Sequence, residues 1–107
     1  MSESVDDEIE PQPEIPEGGF CRILPIINRR GLHARASAKF VQTVERFGAA
    51  VTVTRAGETV GGRSIMGLLT LGAAKGTTIA VVALGDDAEA ALDAIEALLA
   101  DKFGEDE

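Results

Sequence analysis

The chain carries a single histidine, His33, within the stretch Gly31-Leu32-His33-Ala34-Arg35. It follows a glycine turn and opens a segment with helical periodicity. An arginine stands two residues further on. Imidazole nitrogen is the side-chain nucleophile that takes up and releases a phosphoryl group near neutral pH. A helix start presents backbone N–H groups without carbonyl partners, and these suit a phosphate. Arginine adds a planar fork of permanent positive charge for phosphate oxygens. These residue types at this spacing imply a site that carries phosphate on His33, with Arg35 stabilising it. An ordinary loop histidine is the alternative that the residues alone leave open.

Ser64 is a second candidate. It precedes the apolar run Ile65 to Leu71 and is a natural N-cap. Gly67 stands where a capping box needs Glu or Gln, so the cap is a simple one. A phosphate on Ser64 would sit favourably on the helix dipole, leaving the fold intact and acting on partner docking. Ser37 is expected to serve structure. No nucleophile elbow accompanies Ser37 or Ser64, which argues against a serine hydrolase. Cys21 is alone, so no intrachain disulfide forms, and one His with one Cys makes no convincing zinc site. It reads as a small strand residue. No metal and no cofactor are expected.

Charge is unevenly spread. Residues 1–19 hold seven acids and no base, residues 20–85 nine bases and two acids, and residues 86–107 nine acids and one base. The basic middle holds the His33 segment and should attract anionic phosphate or an acidic protein surface. Acidic flanks, few aromatics and the lack of a nucleic-acid motif argue against nucleic acid. No apolar run is long enough to span a bilayer. The start of the chain has neither a basic n-region nor an apolar h-region. The expectation is a soluble, cytoplasmic protein.

The elements that must position these residues follow from periodicity. Residues 1–19, acidic and with several prolines, read as a disordered extension. The domain is expected over residues 20–103, with residues 104–107 as an acidic tail. Phe20 to Ile27 reads as a strand, with Pro25 favouring an edge. Asn28-Arg29-Arg30-Gly31 is a turn. Ala34 to Phe47 places Phe40, Val41, Val44 and Phe47 on one helical face, with Gly48 as a stop. Ala50 to Arg55 and Glu58 to Gly61 form a hairpin about Ala56-Gly57. Ser64 to Leu71 is a short apolar helix, and Thr77 to Leu84 an apolar strand. Ala88 to about Lys102 is an amphipathic helix that Asp86 or Asp87 can cap. The order βαββαβα implies an α+β open-faced sandwich: four antiparallel strands covered on one face by three helices.

At this point the residues carry a family resemblance. Gly31-Leu32-His33-Ala34-Arg35 and the stretch from Arg63-Ser64-Ile65-Met66-Gly67 to Lys75-Gly76 together resemble HPr. That family is the phosphocarrier of the bacterial phosphoenolpyruvate-dependent phosphotransferase system. The resemblance covers roughly residues 20–103. It implies that His33 accepts phosphate on Nδ1 from phosphorylated enzyme I and passes it to an EIIA-type protein. It implies that Arg35 faces the phosphate and that HPr kinase/phosphorylase modifies Ser64. It also implies that Ile65, Met66 and Leu69 form a docking patch. Arg29, Arg30, Lys39 and Arg63 are candidates for a basic rim that guides acidic partners. The family usually has proline after the arginine. Here Ala36 stands there, and the helix start is expected to survive with slightly more freedom. A stoichiometric carrier, not an enzyme in its own right, is the leading reading, serving sugar transport or nitrogen regulation. A monomer is expected, because a carrier must expose its site to several partners. The runner-up is a regulatory binding module controlled through Ser64, with little flux through His33.

Overall fold

A computed structural model describes residues 13–107. Of the acidic extension read over residues 1–19, residues 1–12 lie outside the described residues. Seven main elements follow the chain: β1 (Phe20–Pro25), α1 (Ala34–Val44), β2 (Ala50–Arg55), β3 (Glu58–Gly61), α2 (Ile65–Thr70), β4 (Thr78–Leu84) and α3 (Ala88–Ala100). The most apolar strand, β4, takes an inner position in a sheet of order β1-β4-β2-β3. All three pairings are antiparallel. Between β2 and β3, Ala56 and Gly57 both have left-handed φ (53° and 82°), which matches the twist a two-residue hairpin needs.

Alternation along the strands decides which face is covered. Leu24, Val51, Val53, Ile79, Val81 and Ala83 are buried in the common core. Phe40, Val41 and Val44 of α1 join them, as do Leu68 of α2 and Ala91, Leu92, Ile95 and Leu99 of α3. Register aligns Val53 with both Val60 and Val81, giving a continuous valine row across three strands. The result is the expected open-faced sandwich of four antiparallel strands and three helices. No helix among the described residues is long and apolar enough to cross a membrane.

Several boundaries differ from those read in the sequence. β1 ends at Pro25, yet Ile26 stays buried and its N–H donates to Thr77 O at 2.8 Å. α1 ends at Val44, short of Phe47. Its final turn tightens through Arg46 N to Thr43 O and Phe47 N to Val44 O. Gly48 is not a left-handed stop. Its N–H instead donates to Asp87 Oδ2 at 2.7 Å. Asp87 therefore begins α3 without a side-chain cap bond to its own helix. α3 stops at Ala100 because Lys102, Phe103 and Gly104 all take positive φ (56°, 57° and 77°). This single turn reverses the chain and buries Phe103 to 1% exposure.

The reversal aims residues 105–107 back at the loop before α1. Phe103 is its anchor. Phe103→Ala is expected to lower stability by roughly 3–5 kcal/mol in urea unfolding, the usual loss for a fully buried phenylalanine. A loss under about 1 kcal/mol would mean that the turn is not held by the core.

Candidate functional site

The loop from Ile26 to His33 is built by backbone bonds to the loop before β4. Gly76 N–H donates to Ile26 O at 2.9 Å and Leu32 N–H to Ala73 O at 2.9 Å. Gly31 has φ +69°, and a Cβ there would come within 2.5 Å of Ala73 O. Only glycine permits both the conformation and the approach. Asn28 is fully buried. Its Nδ2 donates to Gly31 O at 2.8 Å and to Glu105 Oε1 at 3.0 Å. Ser37 Oγ donates to Leu32 O at 3.2 Å, a structural role in agreement with the expectation.

These contacts seat His33 as the N-cap of α1, with extended backbone (φ −78°, ψ −175°). Its carbonyl accepts the first helical bond, from Ser37 N at 2.8 Å. Its ring Nδ1 accepts from Arg35 N at 3.3 Å. Its Nε2 lies 2.5 Å from Glu105 Oε2. The His33 and Glu105 side chains are only 17% and 14% exposed. Helix geometry leaves the first-turn amides of Ala34, Arg35 and Ala36 without carbonyl partners. Alanine at 36 thus adds a donor that proline lacks.

A cavity of about 680 Å³ opens beside this helix start, lined by Arg29, Arg30, Arg35, Lys39 and residues 104–107. Arg35 is exposed, and its guanidinium has no hydrogen-bond partner among the described residues. Arg29 pairs with Glu107 Oε1 at 2.6 Å, and its own N–H donates to Glu107 O at 2.5 Å. Lys39 Nζ donates to Phe103 O at 2.6 Å. Burial works against ionisation of Glu105. The Asn28 and His33 hydrogen bonds, with the charges of His33 and Arg30, outweigh it and hold the carboxyl below its ordinary range.

The structure therefore gathers His33, Arg29, Arg30, Arg35 and Lys39 at one end of α1. The second group from the sequence lies apart from that cavity. Ser64 caps α2, its Oγ accepting from Gly67 N at 2.9 Å, and it is exposed. A Cβ on Gly67 would meet Ser64 Oγ and Val60 Cβ at 3.0 Å, so this position is small for packing. Ile65 and Met66 are exposed (39% and 71%), whereas Leu69 is half-buried. Arg63 directs its guanidinium to Phe47 O at 3.0 Å and Ala49 O at 3.3 Å, tying down the loop before β2. The sequence reading missed Asn28 and Glu105. Glu105 lies 72 residues from His33, and only the acidic charge of its segment opposite a basic middle hinted at a contact.

An open-faced sandwich whose single histidine N-caps a helix beside a cluster of arginines suits a small protein that handles phosphate. Comparison with known proteins makes the class specific. The family model "PTS HPr component phosphorylation site" matches residues 21–101. The chain belongs to the HPr family, the phosphocarriers of the phosphotransferase system. It is 49% identical over 84 residues to phosphocarrier protein HPr of Neisseria meningitidis serogroup A, covering 78% of this chain and 94% of that one. It is 42% identical to phosphocarrier protein NPr of Shewanella violacea, covering 78% and 92%. The crystal structure of HPr-C-His from Thermoanaerobacter tengcongensis superposes with a TM-score of 0.79 at 39% identity, covering 82% of this chain and 99% of that one.

Because Glu105 titrates lower when folded, its docking stabilises the protein above the ordinary carboxylate range. That contribution fades as pH falls through the folded value. Asn28→Ala removes a bond that lowers this value. The Glu105 midpoint, read from its carboxyl carbon by NMR, is expected to rise toward the ordinary range. An unchanged midpoint would show that Asn28 does not hold the carboxylate.

Proposed function

We propose that His33 accepts a phosphoryl group on Nδ1 from phosphorylated enzyme I and passes it to an EIIA-type protein. The carrying observation is the Nδ1 atom at the helix cap, accepting from Arg35 N at 3.3 Å beside the arginine-lined cavity. The Nδ1 lone pair attacks phosphorus, and the N–P bond forms as the donor's bond to phosphorus breaks. First-turn amides and the Arg35 guanidinium are suited to the charge spread over the phosphoryl oxygens. The protein is a stoichiometric phosphocarrier, acting as a monomer in the cytoplasm. Transfer out repeats the same geometry in reverse, since a protonated imidazole leaves readily.

Ser64 is the proposed regulatory site, modified by HPr kinase/phosphorylase. Its hydroxyl is exposed at the start of α2, next to Ile65 and Met66, so a phosphate there adds charge beside an apolar docking patch. The same position supports the second reading, a binding module governed mainly through Ser64.

Incubation with phosphoenolpyruvate and enzyme I is expected to add one acid-labile phosphate by intact mass, and His33→Ala is expected to add none. A mutant that still gains this phosphate would exclude His33 as the acceptor. Ser64→Asp is expected to slow the transfer without unfolding the domain. Equal rates for this variant and the wild type would count against regulation at Ser64.

A further inference from the structure

We propose that Glu105 is a positioning residue for His33, holding the ring in the tautomer whose Nδ1 carries the lone pair that attacks phosphorus. This rests on the reading of His33 as the phosphoryl acceptor. A neutral imidazole has one N–H and one lone pair. Two separate hydrogen bonds identify where each lies. At one nitrogen, Arg35 N–H donates to Nδ1 at 3.3 Å, which requires a lone pair there. At the other, Nε2 lies 2.5 Å from the Glu105 carboxylate, an acceptor without a proton of its own when ionised. Both demand Nε2–H and a bare Nδ1.

The carboxylate is itself held. Asn28, buried in the loop, donates Nδ2 to Glu105 Oε1 at 3.0 Å and to Gly31 O at 2.8 Å, which fixes the direction of its amide. Downstream, Arg29 binds Glu107 through both its side chain and its N–H. Upstream, Lys39 Nζ binds Phe103 O. Glu105 is thus clamped from both sides onto the far edge of the ring. It bonds Nε2 and not Nδ1, so the contact orients the nucleophile and does not occupy it.

The same contact acts during transfer. As Nδ1 bonds to phosphorus and the donor's bond breaks, the proton on Nε2 stays and the ring becomes cationic. The adjacent carboxylate stabilises that charge, and no proton need move. Arg30, Arg35 and Asp106 are the other charged groups around the cavity, beside the paired Arg29–Glu107 and Lys39.

The test uses the full chain with Glu105→Ala and Glu105→Asp. Nitrogen-15 NMR of the His33 ring, in its neutral form, reads the tautomer. Stopped-time phosphorylation by enzyme I and phosphoenolpyruvate reads the rate. The wild type is expected to be predominantly Nε2–H. Glu105→Ala is expected to lose that bias and slow by about tenfold, the low end of what loss of a carboxylate behind a histidine does. Glu105→Asp is expected to recover part of both. An unchanged tautomer in Glu105→Ala, or an unchanged or faster rate, would overturn the proposal. A wild type with the tautomer bias but no phosphorylation would instead remove the carrier reading and leave the hydrogen-bonded pair intact.

Discussion

Backbone meets backbone where Gly31 lies against Ala73, and the site depends on that approach. The two loops are far apart in the chain, one after β1 and one before β4. Leu32 N–H to Ala73 O joins them, and the missing side chain at Gly31 lets them close. A methyl group here would drive the loops apart and carry the start of α1 with them. Because β1 and β4 are neighbours in the sheet, the fixed loop places His33 relative to the core and not merely relative to its own helix. A half-buried residue at the surface thus gains the precision of a core one.

The turn at Lys102–Gly104 is the second device, and it runs against local preference. Left-handed conformation in two consecutive non-glycine residues costs about 1–2 kcal/mol each. Burial of the Phe103 ring, worth about 2–3 kcal/mol, offsets this. Lys39 also reaches the turn's carbonyl. What the fold gains is direction. A helix continued past Ala100 would carry Glu105 away from the loop, whereas the turn delivers it to His33 and Asn28.

The large features were legible because they are periodic or local. Alternating apolar residues marked β2, a continuous apolar run marked β4, and the stripe through Leu92, Ile95 and Leu99 marked α3. Gly31-Leu32-His33 announced a turn into a helix start, and the resemblance to HPr rested on two motifs at separate points in the chain. The boundaries that shifted were those set by tertiary contacts. Asp87 looked like a cap, but the Gly48 amide was a competing donor that only the fold brings near. The left-handed pair Lys102-Phe103 has no glycine or asparagine to signal it, so periodicity ran on past the true end of α3. Asn28 and Glu105 escaped for the same reason. Each is an ordinary polar residue until the reversal makes them neighbours.

That His33 is both a helix cap and the proposed acceptor joins two kinds of equilibrium. Arg35 N–H is satisfied by Nδ1 in the unloaded protein. Once Nδ1 bonds to phosphorus, that amide must turn to a phosphoryl oxygen, so one cap replaces another. The difference in strength between the two caps then enters the free energy of hydrolysis of the loaded carrier. A tighter grip by the first turn makes the phosphate easier to receive and harder to give. On this account the start of a single eleven-residue helix sets the rung that the protein occupies on the ladder of phosphoryl-transfer potential.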